Sequence, residues 1–424
     1  MGITRKRFVS IIGGSAGNLV EWYDWFAYAS FAIYFAPVFF PKGDPTAQLL
    51  NTAAVFAVGF VVRPIGAWWM GRYADSHGRK AGLSLSVALM FGGSMLLALA
   101  PTYAHVGIWA PVTLLVARMM QGLSLGGEYG ASATYLSEMA PRQNRGFWAS
   151  FQYMTLCGGQ LCAIAVAVVL QGFLSEAELT AWGWRIPFFI GALLALGVYV
   201  LRRNLAETAS FENLAVDRPK STARMLWAEH RRESILVAML SAGGGLAAYT
   251  YTSYMQKFLF NTVGFSKATA TYIVGAALLY FTLLQPIFGA LADRFGRRPM
   301  LMLFGLGGSL VAIPVLTAME TVTSPVTATL LLMIPLTLQS GYTANNALVK
   351  AELFPAHIRG LGVALPYAIA NALFAGTVEM IALALKDAGH ESLFYIYVAI
   401  VIGMAGVATL LLPETRDMSL IEED

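Results

Sequence analysis

Charge is scarce in this chain: Asp, Glu, Lys and Arg make up 12% of its 424 residues, against about 25% in a soluble domain. That shortfall excludes an ordinary water-solvated globule. Cysteine is scarcer still. The two cysteines, Cys157 and Cys162, lie in one apolar run, which rules out a disulfide framework and reads as packing. The five histidines (His77, His105, His230, His357 and His390) all fall in loops or at the ends of apolar runs, so no metal cluster is expected. Neither a G-x-S-x-G elbow nor a phosphate-cradling glycine loop occurs, which argues against a membrane enzyme. No carbonyl filter or ring of like charge argues for a channel. No cofactor and no nucleic-acid partner is expected.

What the chain has is hydrocarbon, at 57% hydrophobic residues. A run of roughly 20 apolar residues crosses a bilayer as a helix, because lipid offers the backbone no hydrogen-bond partner. Such runs fall at about 9–40, 47–71, 81–101, 108–137, 146–172, 184–203, 233–260, 268–292, 299–319, 326–349, 360–385 and 392–412. The expected fold is therefore an all-α membrane protein of twelve spans. Arg5-Lys6-Arg7 before the first run mimics a signal peptide. The run lacks a small-residue cleavage site and holds Glu21 and Asp24, so it reads as an uncleaved span. The stretch 204–232 is polar and basic. It reads as a linker between an N-terminal six-helix half (1–203) and a C-terminal one (233–424).

Internal repeats support the duplication. Gly71-Arg72-Tyr73-Ala74-Asp75-Ser76-His77-Gly78-Arg79-Lys80 returns 218 residues later as Gly289-Ala290-Leu291-Ala292-Asp293-Arg294-Phe295-Gly296-Arg297-Arg298. Glu138, Pro141, Arg145 and Gly146 return as Glu352, Pro355, Arg359 and Gly360, and Glu207-Thr208 returns as Glu414-Thr415. One side of the expected topology carries Arg5, Lys6, Arg7, Arg72, Arg79, Lys80, Arg142, Arg145, Arg202, Arg203, the basic linker, Arg294, Arg297, Arg298, Lys350, Arg359 and Arg416. The other side carries only Lys42, Arg185, Lys267 and Lys386. Positive charge collects on the cytoplasmic side, so both termini are expected there. Parallel halves with a site at their interface are a transporter architecture.

The acidic and basic residues well inside the spans are Glu21, Asp24, Arg63, Arg118, Glu128, Lys257 and Glu379. Each costs roughly 2.5–3.5 kcal/mol at the bilayer centre on insertion scales, so each should face a cavity or a partner. Arg118 opens Arg118-xxx-Gly122-xxx-Gly126, whose spacing lets a neighbouring helix approach. Its guanidinium either grips a substrate carboxylate bidentately or pairs permanently with Asp24. Asn18, Glu21 and Asp24 form an approximate stripe on the first span. Apolar surroundings favour a protonated carboxyl, so Glu21 and Asp24 are candidate proton carriers; fixed pairing with Arg63 or Arg118 is the alternative. Arg63, beside Pro64, either binds substrate or closes a gate. Glu128 reads first as a structural partner and second as a proton site. Lys257 lies near the end of its span, where it either snorkels or contacts substrate. Glu379 stands alone in its span with an open role. Gln152 and Tyr153 lead the polar candidates for hydrogen-bonding a bound ligand, ahead of Gln160, Gln339, Tyr342, Asn345 and Asn346; bonding a neighbouring helix is the alternative.

The paired loops and the Glu-Thr pairs resemble the major facilitator superfamily. Asn18-Leu-Val-Glu21-Trp22-Tyr-Asp24, Arg63-Pro64-Ile-Gly66, Arg118-Met-Met-Gln121-Gly122 and Trp182-Gly-Trp184-Arg185-Ile-Pro187 resemble its metabolite:proton symporter family, across nearly the whole chain. Gly126-Gly127-Glu128-Tyr129-Gly130, Cys157-Gly158-Gly159-Gln160 and Tyr254-Met255-Gln256-Lys257 resemble its dicarboxylate-carrying members. The resemblance implies a monomeric bacterial inner-membrane symporter. It would import an organic anion, α-ketoglutarate before citrate, shikimate or an osmolyte, with protons and by alternating access. Arg118, Arg63, Lys257, Gln152 and Tyr153 would bind substrate, and Asp24, Glu21 and Glu128 would couple protons. Gly71, Asp75, Gly78, Arg79, Asp293, Arg297, Glu138, Arg145, Glu352 and Arg359 would form the cytoplasmic gate. Ala290 in place of Arg72 makes the two loop copies unequal.

Overall fold

A computed structural model of the chain describes residues 5–41, 44–77, 79–139, 142–203, 222–355, 358–416 and 419. All regular structure among them is helical. The long rods are α1 (Arg5–Phe39), α2 (Pro45–His77), α3 (Arg79–Ala98), α4 (Trp109–Met139), α5 (Arg145–Phe173) and α6 (Ile186–Arg203). They continue with α7 (Arg231–Asn261), α8 (Lys267–Phe295), α9 (Arg297–Glu320), α10 (Pro325–Thr343), α11 (Arg359–Asp387) and α12 (Glu391–Leu411). Eight helices among the described residues are long and apolar enough to cross a membrane; α1, α3, α4 and α10 fall outside that set.

The rod ends follow local chemistry. Ser266 and Ser324 cap α8 and α10 by accepting from Thr269 N and Thr327 N, and Gly296, at φ 99°, ends α8 in a backbone shape that favours glycine. Segments of π-helix at Thr250–Tyr254 and Asn371–Ala375 interrupt α7 and α11. The expected linker is not all irregular: Ala223–Glu229 forms a two-turn helix capped by Thr222. α10 stops at Thr343, and a separate helix, Asn346–Glu352, follows.

Rods α1–α6 pack chiefly among themselves, through α2–α4, α1–α5 and α3–α6, and α7–α12 do so through α7–α12, α8–α10 and α9–α12. The main cross-contacts are α5 with α8 and α2 with α11. α2 and α8 end in the two loop copies, while α5 and α11 begin at the two copies of the Glu-Pro-Arg repeat. α8 meets α5 from the first residues of α5 onward, whereas α2 meets mainly the later part of α11, Val378–Asp387.

Candidate functional site

Glycine sets where the first-half cations sit. A Cβ on Gly122 would lie 2.2 Å from Gly59 O, and one on Gly126 2.1 Å from Arg63 O. Only bare glycine lets α4 lie this close to α2. The contact brings Arg118 of α4 and Arg63 of α2 onto the same indole. Their guanidinium carbons stand 3.8 and 4.0 Å from the Trp25 ring centroid, which places the two cations within about 8 Å of each other over one aromatic platform. Phe60 also faces Arg63, and Tyr28 and Phe56 face Arg118. Arg118 is fully buried and Arg63 is 6% exposed. Nε and Nη2 of each make no hydrogen bond, and no carboxylate among the described residues forms an ion pair with either.

Asp24 lies under this pair without touching it. Arg118 Nη1 donates to Gln121 Oε1 at 2.7 Å. Gln121 Nε2 donates to Asp24 Oδ2 at 2.7 Å, where Ser94 Oγ also donates at 2.5 Å. A direct Arg118–Asp24 pair, one of the alternatives open from sequence, is thus replaced by a glutamine bridge. The other oxygen, Asp24 Oδ1, is buried without a hydrogen bond. Glu21 is buried one turn earlier. Asn18 of the same stripe points to α5, donating to Thr155 Oγ1 at 2.9 Å.

Lys257 does not snorkel. It is 1% exposed, and its Nζ lies 2.9 Å from both carboxylate oxygens of Glu379 and 3.1 Å from Ala29 O. The contact joins α7, α11 and α1. Glu379, whose role the sequence left open, is therefore the partner of Lys257.

A central cavity of about 20 Å³ is lined by Trp22, Tyr153, Gln160, Tyr249, Tyr342 and Asn371 among others, drawn from both sets of six rods. That volume holds about one water. Tyr153 lines the cavity and packs edge-on against Phe281. Gln152 is not among the residues lining it: its backbone carbonyl accepts from Asn18 Nδ2 at 3.4 Å, and its side-chain Nε2 is buried without a hydrogen bond. Trp22 lines the cavity and also stands 5.4 Å from Arg63, so one aromatic ring lies between Arg63 and the cavity.

The end carrying the repeated loops is closed by α5 and α8. Asp293 accepts from Gly146 N and Phe147 N, both at 2.8 Å, so a carboxylate of α8 caps the N-terminus of α5. A Cβ on Gly289 would stand 2.5 Å from Gly146 O. Arg297 Nη2 pairs with Asp293 Oδ1 at 3.2 Å and with Glu352 Oε1 at 3.7 Å, and Thr415 Oγ1 donates to Glu352 Oε2 at 2.6 Å. Burial pushes the Glu352 carboxyl up to about 7, against the opposing pull of Arg297 and Thr415. Arg359 Nε donates to Ala351 O and Phe354 O, and Arg145 Nη1 to Ser419 Oγ. The backbone places Gly71 and Asp75 on α2 and Arg79 at the start of α3. Gly78 lies outside the described residues, as do the side chains of Asp75, Arg79, Glu128 and Glu138.

Three site features escaped the sequence reading: the Trp25 platform, the Gln121 bridge and the Ser94 hydroxyl. Gln121 had a signal, since it lies three residues after Arg118 and so on the same helix face. Ser94 had none.

The model of the Major Facilitator Superfamily matches residues 17–376 and 249–420. The chain is 49% identical over 409 residues to the alpha-ketoglutarate permease of Escherichia coli K12, covering 96% of this chain and 94% of that protein. It is 34% identical over 390 residues to the citrate-proton symporter of Klebsiella pneumoniae, covering 90% and 86%. Among solved structures, the D-xylose-proton symporter superposes with a TM-score of 0.79 at 20% identity, covering 96% of this chain and 98% of that one.

Proposed function

The chain belongs to the Major Facilitator Superfamily, and from that premise we propose that it imports α-ketoglutarate together with protons. It is a transporter rather than an enzyme, and a multi-pass protein of the inner membrane. In our reading the twelve rods all span the bilayer with both termini cytoplasmic. Residues 1–203 and 233–424 form two halves that rock about the central cavity, joined by the linker 204–232, and the protein acts as a monomer driven by the proton gradient.

One observation carries the substrate class: two buried guanidiniums on one indole, with no carboxylate paired to them. A buried charge without a partner is costly. An anion with two carboxylates supplies the missing counter-charges, and the free Nε and Nη2 donors of each arginine suit bidentate contact. Arg118 and Arg63 hold the two carboxylates once the aromatic layer of Trp22 and Tyr249 parts, with Tyr153 and Gln152 near the keto group. Asp24 carries a proton, because Gln121 links it to the cation that senses the substrate; Glu21 and Glu128 are the further carriers. Asp293, Arg297, Glu352, Arg359 and Arg145, with Gly71, Asp75, Gly78, Arg79 and Glu138 of the first copies, latch the cytoplasmic end.

The 49% relative favours α-ketoglutarate, and the 34% relative makes citrate the second reading. Competition in proteoliposomes separates them. Labelled α-ketoglutarate uptake blocked by the unlabelled acid but not by equimolar citrate supports the first; the reverse order of potency overturns it.

A further inference from the structure

The end of the fold that carries the repeated loops also holds a groove outside the central cavity. It lies where α7 begins and α12 ends, with a volume of about 480 Å³, and is lined by Arg231, Arg232, Ile235, Leu236, Met239 and Leu411. Arg231, Ile235 and Met239 are spaced by four, so they form one stripe along α7, with guanidiniums at the helix end and hydrocarbon beyond. From Arg231 to Met239 the stripe runs about 12 Å, most of the ~15 Å hydrocarbon depth of one leaflet. Both arginines and Ile235 are exposed, and Leu411 is 54% exposed, so the groove opens outward rather than into the bundle. Arg232 Nη2 donates to Leu411 O at 3.1 Å, and Arg298 Nη2 of α9 donates to Leu410 O at 2.9 Å. Among the described residues, no carboxylate forms an ion pair with Arg231 or Arg232, and the neighbouring acids Glu229 and Glu233 do not line the groove. Trp227, on the two-turn helix just before α7, is 56% exposed, and the Arg231 guanidinium stands 5.1 Å from its ring. Tryptophan favours the level where a membrane meets water.

We propose that this groove binds an anionic phospholipid, with its phosphate on Arg231 and Arg232 and an acyl chain along Ile235, Leu236, Met239 and Leu411. Two features select the occupant. Cations at the mouth call for an anion, and a guanidinium takes a phosphate bidentately. The hydrocarbon wall calls for an apolar tail. A zwitterionic lipid brings its own cation against the arginines, and a free phosphate leaves the wall uncovered. Each arginine at such a surface adds about fivefold to the binding of anionic lipid. The groove joins α7 to α12 and borders the last helix of the linker, so a bound lipid holds the end of the linker at the membrane surface. The site is independent of which anion the central cavity carries.

The test uses full-length protein in detergent, stripped of lipid and titrated with dioleoyl phosphatidylglycerol or with phosphatidylcholine of the same chains. Bound lipid is counted by native mass spectrometry. The wild type should hold one phosphatidylglycerol more tightly than it holds any phosphatidylcholine. Arg231→Gln with Arg232→Gln should weaken that binding about thirtyfold, and Arg231→Gln alone about fivefold. The single variant keeps the Arg232–Leu411 bond, so it carries the test if the double variant fails to fold. Glycerophosphoglycerol, the headgroup without its chains, should not displace the lipid at equal concentration. Equal binding of the two lipids, equal phosphatidylglycerol affinity in the wild type and Arg231→Gln, or displacement by the soluble headgroup overturns the proposal.

Discussion

Two buried cationic sites lie in the two halves of the sequence, and they are neutralised in opposite ways. In the first half, Arg63 and Arg118 rest on aromatic faces, and Arg118 reaches Asp24 through Gln121. In the second, Lys257 is closed by Glu379 at 2.9 Å. An aromatic face offers a cation about 0.5–2 kcal/mol, whereas a carboxylate offers a full counter-charge. The first site therefore lacks a counter-charge of its own, and the second already holds one.

Breaking the closed site should have the largest effect on stability. Lys257→Gln leaves Glu379 buried and alone, which should cost about 3–5 kcal/mol. The double change Lys257→Gln with Glu379→Gln should recover most of it; equal melting temperatures for the wild type and the single variant would contradict the account. Arg63→Gln should do the reverse, weakening uptake while changing stability by no more than about 2 kcal/mol. A loss as large as that of Lys257→Gln would show that Arg63 is structurally paired after all.

Arg118→Lys keeps the charge but loses the fork and the bond to Gln121. Charged hydrogen bonds contribute about 1.5–3 kcal/mol each, so uptake should fall about tenfold to a hundredfold; near-normal transport would remove Arg118 from the mechanism. Asp24→Asn should abolish accumulation against a gradient while leaving exchange measurable. Accumulation at the wild-type level would exclude Asp24 as a proton carrier.

The smallest effects belong to the proposed latch at the end that carries the repeated loops. Asp293→Asn removes a charge from the α5 N-terminus, worth about 0.3–2 kcal/mol, and should raise cysteine accessibility from the cytoplasmic side. Glu352 adds a pH dependence. Its carboxyl is raised to about 7 in the closed latch, so the closed form favours the protonated acid. That stabilisation is present at acid pH, declines as pH rises from the ordinary carboxylate range towards about 7, and is flat above it. Glu352→Gln should remove the slope; an unchanged pH profile would place the titration elsewhere.

The all-helical fold was legible because apolar length is written along the chain, although α1, α3, α4 and α10 fall outside the set long and apolar enough to cross a membrane. The Gly122 and Gly126 spacing likewise announced a close neighbour, which proved to be α2. The pairing of charges was not legible. Lys257 and Glu379 are 122 positions apart, and no local pattern links them. Counting rise per residue placed Lys257 near the span end, where snorkelling is cheap, but a helix count cannot see that α1 and α11 cover that end. Trp25 was one aromatic among many, and its importance comes only from two helices delivering arginines to it.

We propose that the uncompensated arginine pair receives a dicarboxylate. Labelled α-ketoglutarate uptake into proteoliposomes, with and without an inward proton gradient, separates the wild type from Arg118→Lys. Gradient-driven accumulation by the wild type is expected, blocked by close dicarboxylates and strongly reduced in the variant. Equal accumulation by both proteins, or none by the wild type under an imposed gradient, would contradict it.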